Sequence, residues 1–218
     1  MQFVLVAAAY AFIFIVVEII AARLRPPSEV SRKLSHILAG IGAACLPFVL
    51  SFSQIAFLGL LFIPAVFISM RSNMFKSIHG VTRSTYGELY FPLAIAICSF
   101  LFPDRLFFTY AVLVLGVSDA LASLIGTRYG HPKRRGKKSS KTVAGSVAFF
   151  VSAAIIGAGL LIAINGTQVV AATIWSILLA AILTFIEARS HKGLDNLTIP
   201  ISAAALLSLL SFTGALGS

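Results

Sequence analysis

GVSDALASLIGTRYGHPKRRGKKSSKTVAG, residues 116–145, joins two contrasting kinds of sequence. The first part is apolar and holds one acid, Asp119. Just past the end of that run, seven Lys and Arg fall between Arg128 and Lys141. An apolar segment that runs into a cationic loop is the pattern of a membrane helix whose loop stays in the cytoplasm. The rest of the chain repeats the pattern. Of 218 residues, 59% are hydrophobic and 11% are charged, whereas soluble domains run near ~25% charged. Apolar runs of about 18 or more residues read as spanning helices, and several occur here. The sequence predicts an all-α polytopic membrane protein, a single transmembrane domain over residues 1–218.

Eight apolar segments can be counted, at about 2–22, 35–52, 54–70, 89–102, 106–126, 143–163, 168–187 and 197–216. The fourth is short enough to be tilted, re-entrant or continuous with its flanks. Connections of two kinds alternate between the segments. Short, nearly uncharged ones lie around Phe52-Ser53, Pro103-Asp104-Arg105 and Asn165-Gly166-Thr167. Longer basic ones lie at 23–34, 71–88, 127–142 and 188–196 and hold sixteen of the seventeen Lys and Arg. Basic loops face the cytoplasm, so both termini are expected on the opposite side. The acids follow the same division. Glu29, Glu88 and Asp195 lie in or beside the basic loops, and Glu18, Asp119 and Glu187 lie within a turn or two of them; only Asp104 falls at the other end. Polar chemistry is therefore expected at the cytoplasmic boundary of the bilayer.

The net charge of +10 has its first explanation in this loop bias. No aromatic residues interleave with the basic run, so nucleic acid is not the expected partner. Cys45 and Cys98 both sit in apolar runs and suggest neither a disulfide framework nor a metal site. The N-terminal run is long and lacks a positive leading region, which reads as a retained first helix.

Asp119 is the first chemical candidate. An Asp at the centre of a membrane helix costs about 2.5–3.5 kcal/mol, and this one lies on the order of 10 Å from the loop. It can serve as a helix–helix hydrogen-bonding group or as half of an ion pair. It can also be a metal ligand or a proton carrier. A carboxylate beside a cationic loop suits a divalent ion that bridges phosphates. The loop is the second candidate, as a topology signal that touches anionic lipid or as a polyphosphate site. Lys137, Lys138, Ser139, Ser140, Lys141 and Thr142 combine cations with hydroxyls just before a helix start, and amides at a helix N-terminus attract phosphate. The stretch is not a P-loop: five residues separate Gly130 from Gly136, and no Ser or Thr directly follows Lys137. EARSHKGLDNLTIP (187–200) groups Glu187, Asp195 and Asn196 at a further junction, as a simple turn or as the remainder of a metal site. RKLSHILAG (32–40) offers Arg32, Lys33 and His36, and TRSTYGELYFP (82–92) offers Arg83 and Glu88.

Taken in order, these four stretches resemble the membrane family of CTP-dependent lipid-alcohol kinases, which includes dolichol kinases and phytol or farnesol kinases. TRSTYGELYFP leans toward the phytol kinase branch. The resemblance runs from about residue 32 to 200. It implies CTP as phosphoryl donor and Mg2+ or another divalent cation as cofactor. It also implies Asp119 as the metal-linked acid, joined by Glu187 and Asp195. Arg128, Lys137, Lys138, Ser140, Lys141 and Thr142 would hold the nucleotide, with Asp195 and Asn196 closing its site. Arg32, Lys33 and Arg83 would position substrate or phosphate. Asp119, Glu88 and His36, in that order, are candidates for the base that takes the acceptor's proton. The third and fourth stretches also resemble CDP-diacylglycerol synthases, but KTVAG has Ala144 where those enzymes usually carry Glu.

The expected function is thus γ-phosphoryl transfer from CTP to the hydroxyl of a membrane lipid alcohol such as phytol, farnesol, a polyprenol or diacylglycerol. The alternatives are a CTP:lipid-phosphate cytidylyltransferase, which would attack the α phosphorus, and a small transporter. Transporters usually place buried acids near the midplane, whereas these acids gather at one face. The expected partners are the lipid and the nucleotide, with the oligomeric state left open. The expected location is a prokaryotic plasma membrane, with the active site facing the cytoplasm.

Overall fold

A computed structural model describes residues 2–24, 28–71, 87–130, 141–191 and 193–216. Among these residues there are eight α-helices and no strand. They are α1 (Gln2–Leu24), α2 (Ser28–Ala44), α3 (Phe52–Arg71), α4 (Gly87–Leu101), α5 (Arg105–Tyr129), α6 (Val143–Ala163), α7 (Val169–Arg189) and α8 (Asp195–Phe212). Five of them, α3 and α5 to α8, are long and apolar enough to cross a membrane. The 15 residues of α4 rise only about 22 Å, less than the ~30 Å hydrocarbon thickness. This accords with its reading as a short segment.

The largest departure from the expected boundaries is α2. Its apolar run was expected at 35–52, but the helix begins at Ser28 and ends at Ala44, and Leu46–Phe48 forms a separate 3-10 turn. The first turns of α2 carry Glu29, Ser31, Arg32, Lys33, Ser35 and His36. These residues hide the helix from a hydropathy reading, yet nothing in their types opposes a helix. The turn contains Pro47, which lacks the amide a continuing helix needs.

α5 is the axis of the bundle. About two-thirds of its span is buried, against a third or less of the other four spans, and it packs on α2, α6 and α8. Asp104 caps its start, its carboxylate accepting from the amides of Leu106 and Phe107 at 2.8 and 3.1 Å. Midway, Val114–Ser118 widens into a π-turn immediately before Asp119. Gly116 in that turn meets Gly40 of α2 so closely that a Cβ on Gly40 would lie 2.7 Å from the Gly116 Cα. At the other end of α5, a Cβ on Gly145 of α6 would lie 2.7 Å from the Ala122 carbonyl oxygen. Small residues let helices approach closely where no aqueous hydrophobic force drives them together. On the outside, Phe57, Leu60, Ile155, Val170 and Ile174 are more than half exposed, a surface that suits lipid rather than water.

The Gly40–Gly116 contact has a direct test. Gly40→Val places a branched side chain against backbone and should cost about 1–3 kcal/mol, read as a lower thermal unfolding midpoint in detergent. Gly159→Ala on α6 meets nothing within 4 Å and should leave that midpoint unchanged or slightly raised. Equal midpoints for the two variants would place the α2–α5 crossing elsewhere.

Candidate functional site

The sequence candidates gather at one end of the bundle, in two neighbouring compartments. The first is ionic. Lys33 of α2 donates from Nζ to Asp119 Oδ2 of α5 at 2.5 Å. Both residues are buried, at 5% and 3% exposed. Nearby, Lys141 lies two residues before α6 and donates to Glu187 Oε1 of α7 at 2.5 Å and to Asp195 Oδ2 of α8 at 3.0 Å. Burial works against the charge of Lys141, but the carboxylates of Asp195, Asp119 and Glu187 outweigh it and hold the ammonium above its ordinary pKa. Five helices thus meet through two lysines and three acids.

Local structure explains how these side chains are aimed. Thr142 is extended and caps α6, its hydroxyl accepting from the Gly145 amide at 3.1 Å. That cap ends the basic segment at a fixed place, with Lys141 one residue before it. On the other side of the segment, the Gly130 amide donates to the Gly126 carbonyl at 3.1 Å and ends α5. A Cβ on Gly126 would lie 2.7 Å from Thr142 Oγ1, so glycine there brings the two ends of the segment together.

The second compartment is a chamber of about 220 Å³ bounded by α1, α2, α3, α4 and the start of α8. Its polar lining is Arg32, Ser35, His36, Ser69, Glu88 and Asn196. Its apolar lining includes Tyr10, Leu58, Phe62, Val66, Phe91 and Ile95. Residues 32, 35, 36 and 39 of α2 follow helical spacing and face this chamber, whereas Lys33 and Gly40, seven apart, face α5. His36 packs on Phe91 with ring centroids 4.9 Å apart. Its Nε2 is buried without a hydrogen-bond partner. Asn196 donates from Nδ2 to the Gly87 carbonyl at 2.7 Å and ties α8 to α4.

The remaining candidates divide as follows. Arg32 is held in a two-point pair by Glu29, at 2.7 and 3.1 Å, and Ser123 of α5 donates to Glu29 at 3.0 Å. Arg128 is exposed and stacks over the ring of Tyr129, 5.5 Å from its centroid. Arg83, Lys137, Lys138 and Ser140 lie outside the described residues. Glu29, Ser123 and the chamber's apolar walls were not singled out from sequence. For Glu29 the signal was its i,i+3 spacing to Arg32. For the walls there was none, because five separate segments build them.

The acids fit a cation in part. Glu187 and Asp195 converge on one ammonium, and Glu187 Oε2 is buried with no hydrogen-bond partner. Mg2+ is commonly held by one or two carboxylates together with substrate phosphates, a number this pair would supply once released from Lys141. Among the described residues no three His, Cys, Asp or Glu side chains cluster as a metal site, and Asp119 is engaged by Lys33.

Removing one partner of a buried ion pair leaves an uncompensated charge. Lys33→Met should therefore destabilise the protein by about 3–5 kcal/mol, measured by thermal or denaturant unfolding in detergent. Lys33→Met combined with Asp119→Leu should recover most of that loss. A single variant as stable as the wild type would mean that the pair does not hold α2 to α5.

Comparison with known proteins gives two relatives. The chain is 27% identical to a phytol kinase of Synechocystis sp., over 83% of this chain and 78% of the relative. It is 28% identical to an uncharacterised protein of Methanocaldococcus jannaschii, over 83% of this chain and 93% of the relative. No protein-family model matches the chain, and no solved structure matches it. The first relative shows a distant likeness to a phytol kinase.

Proposed function

We propose that this protein is a CTP-dependent kinase that transfers the γ-phosphoryl group to the hydroxyl of a membrane lipid alcohol at the cytoplasmic interface. One observation carries the reading. Lys141, at the end of the basic segment, draws Glu187 and Asp195 together, and the next residue along α8, Asn196, lines a chamber with a polar rim and apolar walls. A water-soluble anionic donor and a membrane-bound acceptor can thus meet across a single turn of α8. The similarity to a phytol kinase supports the same reaction class, and CTP as donor rests on the family resemblance.

Phosphoryl transfer needs mainly positioning and charge neutralisation. In this reading Lys141, with Lys137, Lys138, Ser140 and Arg128, receives the triphosphate. Thr142 keeps the segment's end in place by capping α6. Glu187 and Asp195 would hold a divalent cation, which when bound neutralises charge on the transferring group. Asp119 fixes Lys33, and the pair holds α2 against α5 beside the site. Arg32 and Arg83 would position acceptor or phosphate from the rim.

Label transfer with purified protein, Mg2+ and a panel of lipid alcohols and phosphatidate tests the proposal. Label from γ-labelled CTP should appear in an alcohol. Label from α-labelled CTP appearing in phosphatidate would instead establish a cytidylyltransferase. No transfer, together with CTP-independent flux of substrate in liposomes, would establish a transporter. Lys141→Ala removes one charged contact worth about 1.5–3 kcal/mol, so the KM for CTP should rise roughly ten- to a hundredfold. An unchanged dependence of rate on CTP would remove Lys141 from the nucleotide site.

A further inference from the structure

We infer that the chamber between α1, α2, α3 and α4 is the acceptor site, that it takes the hydroxyl-bearing end of a lipid alcohol, and that His36 is the catalytic base at its rim. The inference rests on the lipid-alcohol kinase reading and adds where the acceptor lies and which group takes its proton.

Three features of the chamber define the ligand. Its walls are aromatic and aliphatic, with polar groups confined to one part. A ligand that fills it is apolar over most of its length and polar at one end. At about 220 Å³ the chamber is smaller than the roughly 300–1,000 Å³ of sites that enclose a whole drug-sized ligand. It is therefore sized for the hydroxyl-bearing end of a lipid, with the rest left in the bilayer. Along α3 the lining runs from Leu58 to Ser69, a rise of about 16 Å. That is about half the ~30 Å hydrocarbon thickness.

His36 is the group at the rim that the fold leaves in need of a ligand. A neutral imidazole carries its proton on one ring nitrogen and a lone pair on the other, and in this proposal the proton sits on Nδ1. Nε2 then carries a lone pair. It is buried with no partner, and buried polar atoms in folded proteins are rarely left unpaired. A turn of the ring into the chamber, which His36 lines, would bring Nε2 to a substrate hydroxyl that supplies the missing donor. Arg32 is held by Glu29, Asn196 by the Gly87 carbonyl, and Asp119, the base first suggested by sequence, by Lys33. Lys33, Asp119 and Arg32 are the charged neighbours of His36.

The step balances. The acceptor oxygen forms a bond to the terminal phosphorus of the nucleoside triphosphate. The bond from that phosphorus to its bridging oxygen breaks, and the nucleoside diphosphate leaves with the electron pair. The hydroxyl proton passes to His36 Nε2, and the imidazolium so formed has the Asp119 carboxylate among its neighbours.

The test uses the full chain in detergent with a diazirine-bearing farnesol analogue as the probe. Irradiation should label chamber residues such as Phe62, Phe91 or Ile95, mapped by peptide mass spectrometry, with farnesol competing. Label confined to outer positions such as Phe57 or Ile155, and not competed, would overturn the site. Val66→Trp should remove competed labelling and raise the KM for the alcohol about tenfold or more, with the KM for CTP unchanged. Ala65→Phe serves the same purpose if the first variant does not fold. His36→Ala should retain labelling and the KM for CTP, lower kcat by roughly 10²–10⁴-fold, and regain activity with added imidazole. Wild-type kcat in His36→Ala would overturn the base. Labelling needs no nucleotide, so the two readings fail separately. Competed labelling without γ-transfer would keep the chamber as a lipid site and overturn the kinase. γ-Transfer with labelling elsewhere would keep the kinase and overturn the chamber.

Discussion

A charge inside an apolar bundle must be paired, and here each pair joins helices that are distant in sequence. Lys33 and Asp119 are 86 residues apart, and their contact sets how α2 lies on the central helix. Lys141 does the same for α6, α7 and α8 by bridging Glu187 and Asp195. Breaking either pair would strand a buried charge, which costs far more than losing a surface ion pair. The polar end of the bundle is therefore built by the need to satisfy its own charges. The basic segment begins and ends within that frame: Gly130 closes α5 and Thr142 opens α6.

Two helices serve both compartments. On α2, Lys33 faces Asp119 while Arg32 and His36 face the chamber. On α8, Asp195 faces Lys141 while Asn196 faces the chamber and Gly87. Adjacent residues on a helix point about 100° apart, so one turn can wall a site for an anion on one side and for a lipid on the other. The glycines make this economical in space. Gly40 against Gly116, and Gly126 and Gly145 against their neighbours, bring the backbones close enough for short side chains to reach across.

The parts of this arrangement that could be read from sequence are those carried by local pattern. Alternating apolar runs and basic loops place the ends of the helices to within four residues, apart from α2, whose first turns are too polar for hydropathy to mark. Asp119, Lys141, Glu187 and Asp195 stood out because each is a charge near an apolar run, and the structure gathers them. Their pairing was not legible: Lys33 read as a loop cation, whereas it is buried against Asp119. The chamber left no trace in the sequence, since Tyr10, Phe62 and Phe91 are ordinary members of three apolar helices until packing brings them to one space. The lone pair of His36 is equally invisible until the burial of Nε2 is known.

The distribution of polar groups bears on the competing idea of transport. At the opposite end of the bundle, Asn165 and Thr167 donate to the Leu216 carbonyl and Thr109 donates to that of Ala44, while the charged Asp104 caps α5 and the charged Arg105 stacks on Phe48. Between the ends, the chamber's inner walls are apolar. A transporter needs polar partners along its path and a binding site near the midplane. An interfacial transferase needs the reverse, a dry wall beneath the reacting groups and all of its charge on the side from which the soluble substrate arrives. With Lys33, Asp119, Lys141, Glu187 and Asp195 at one end and hydrocarbon lining below His36, the described residues follow the second pattern. In the proposed reaction an apolar wall there would limit the access of water, which would compete with the alcohol for the same phosphoryl group.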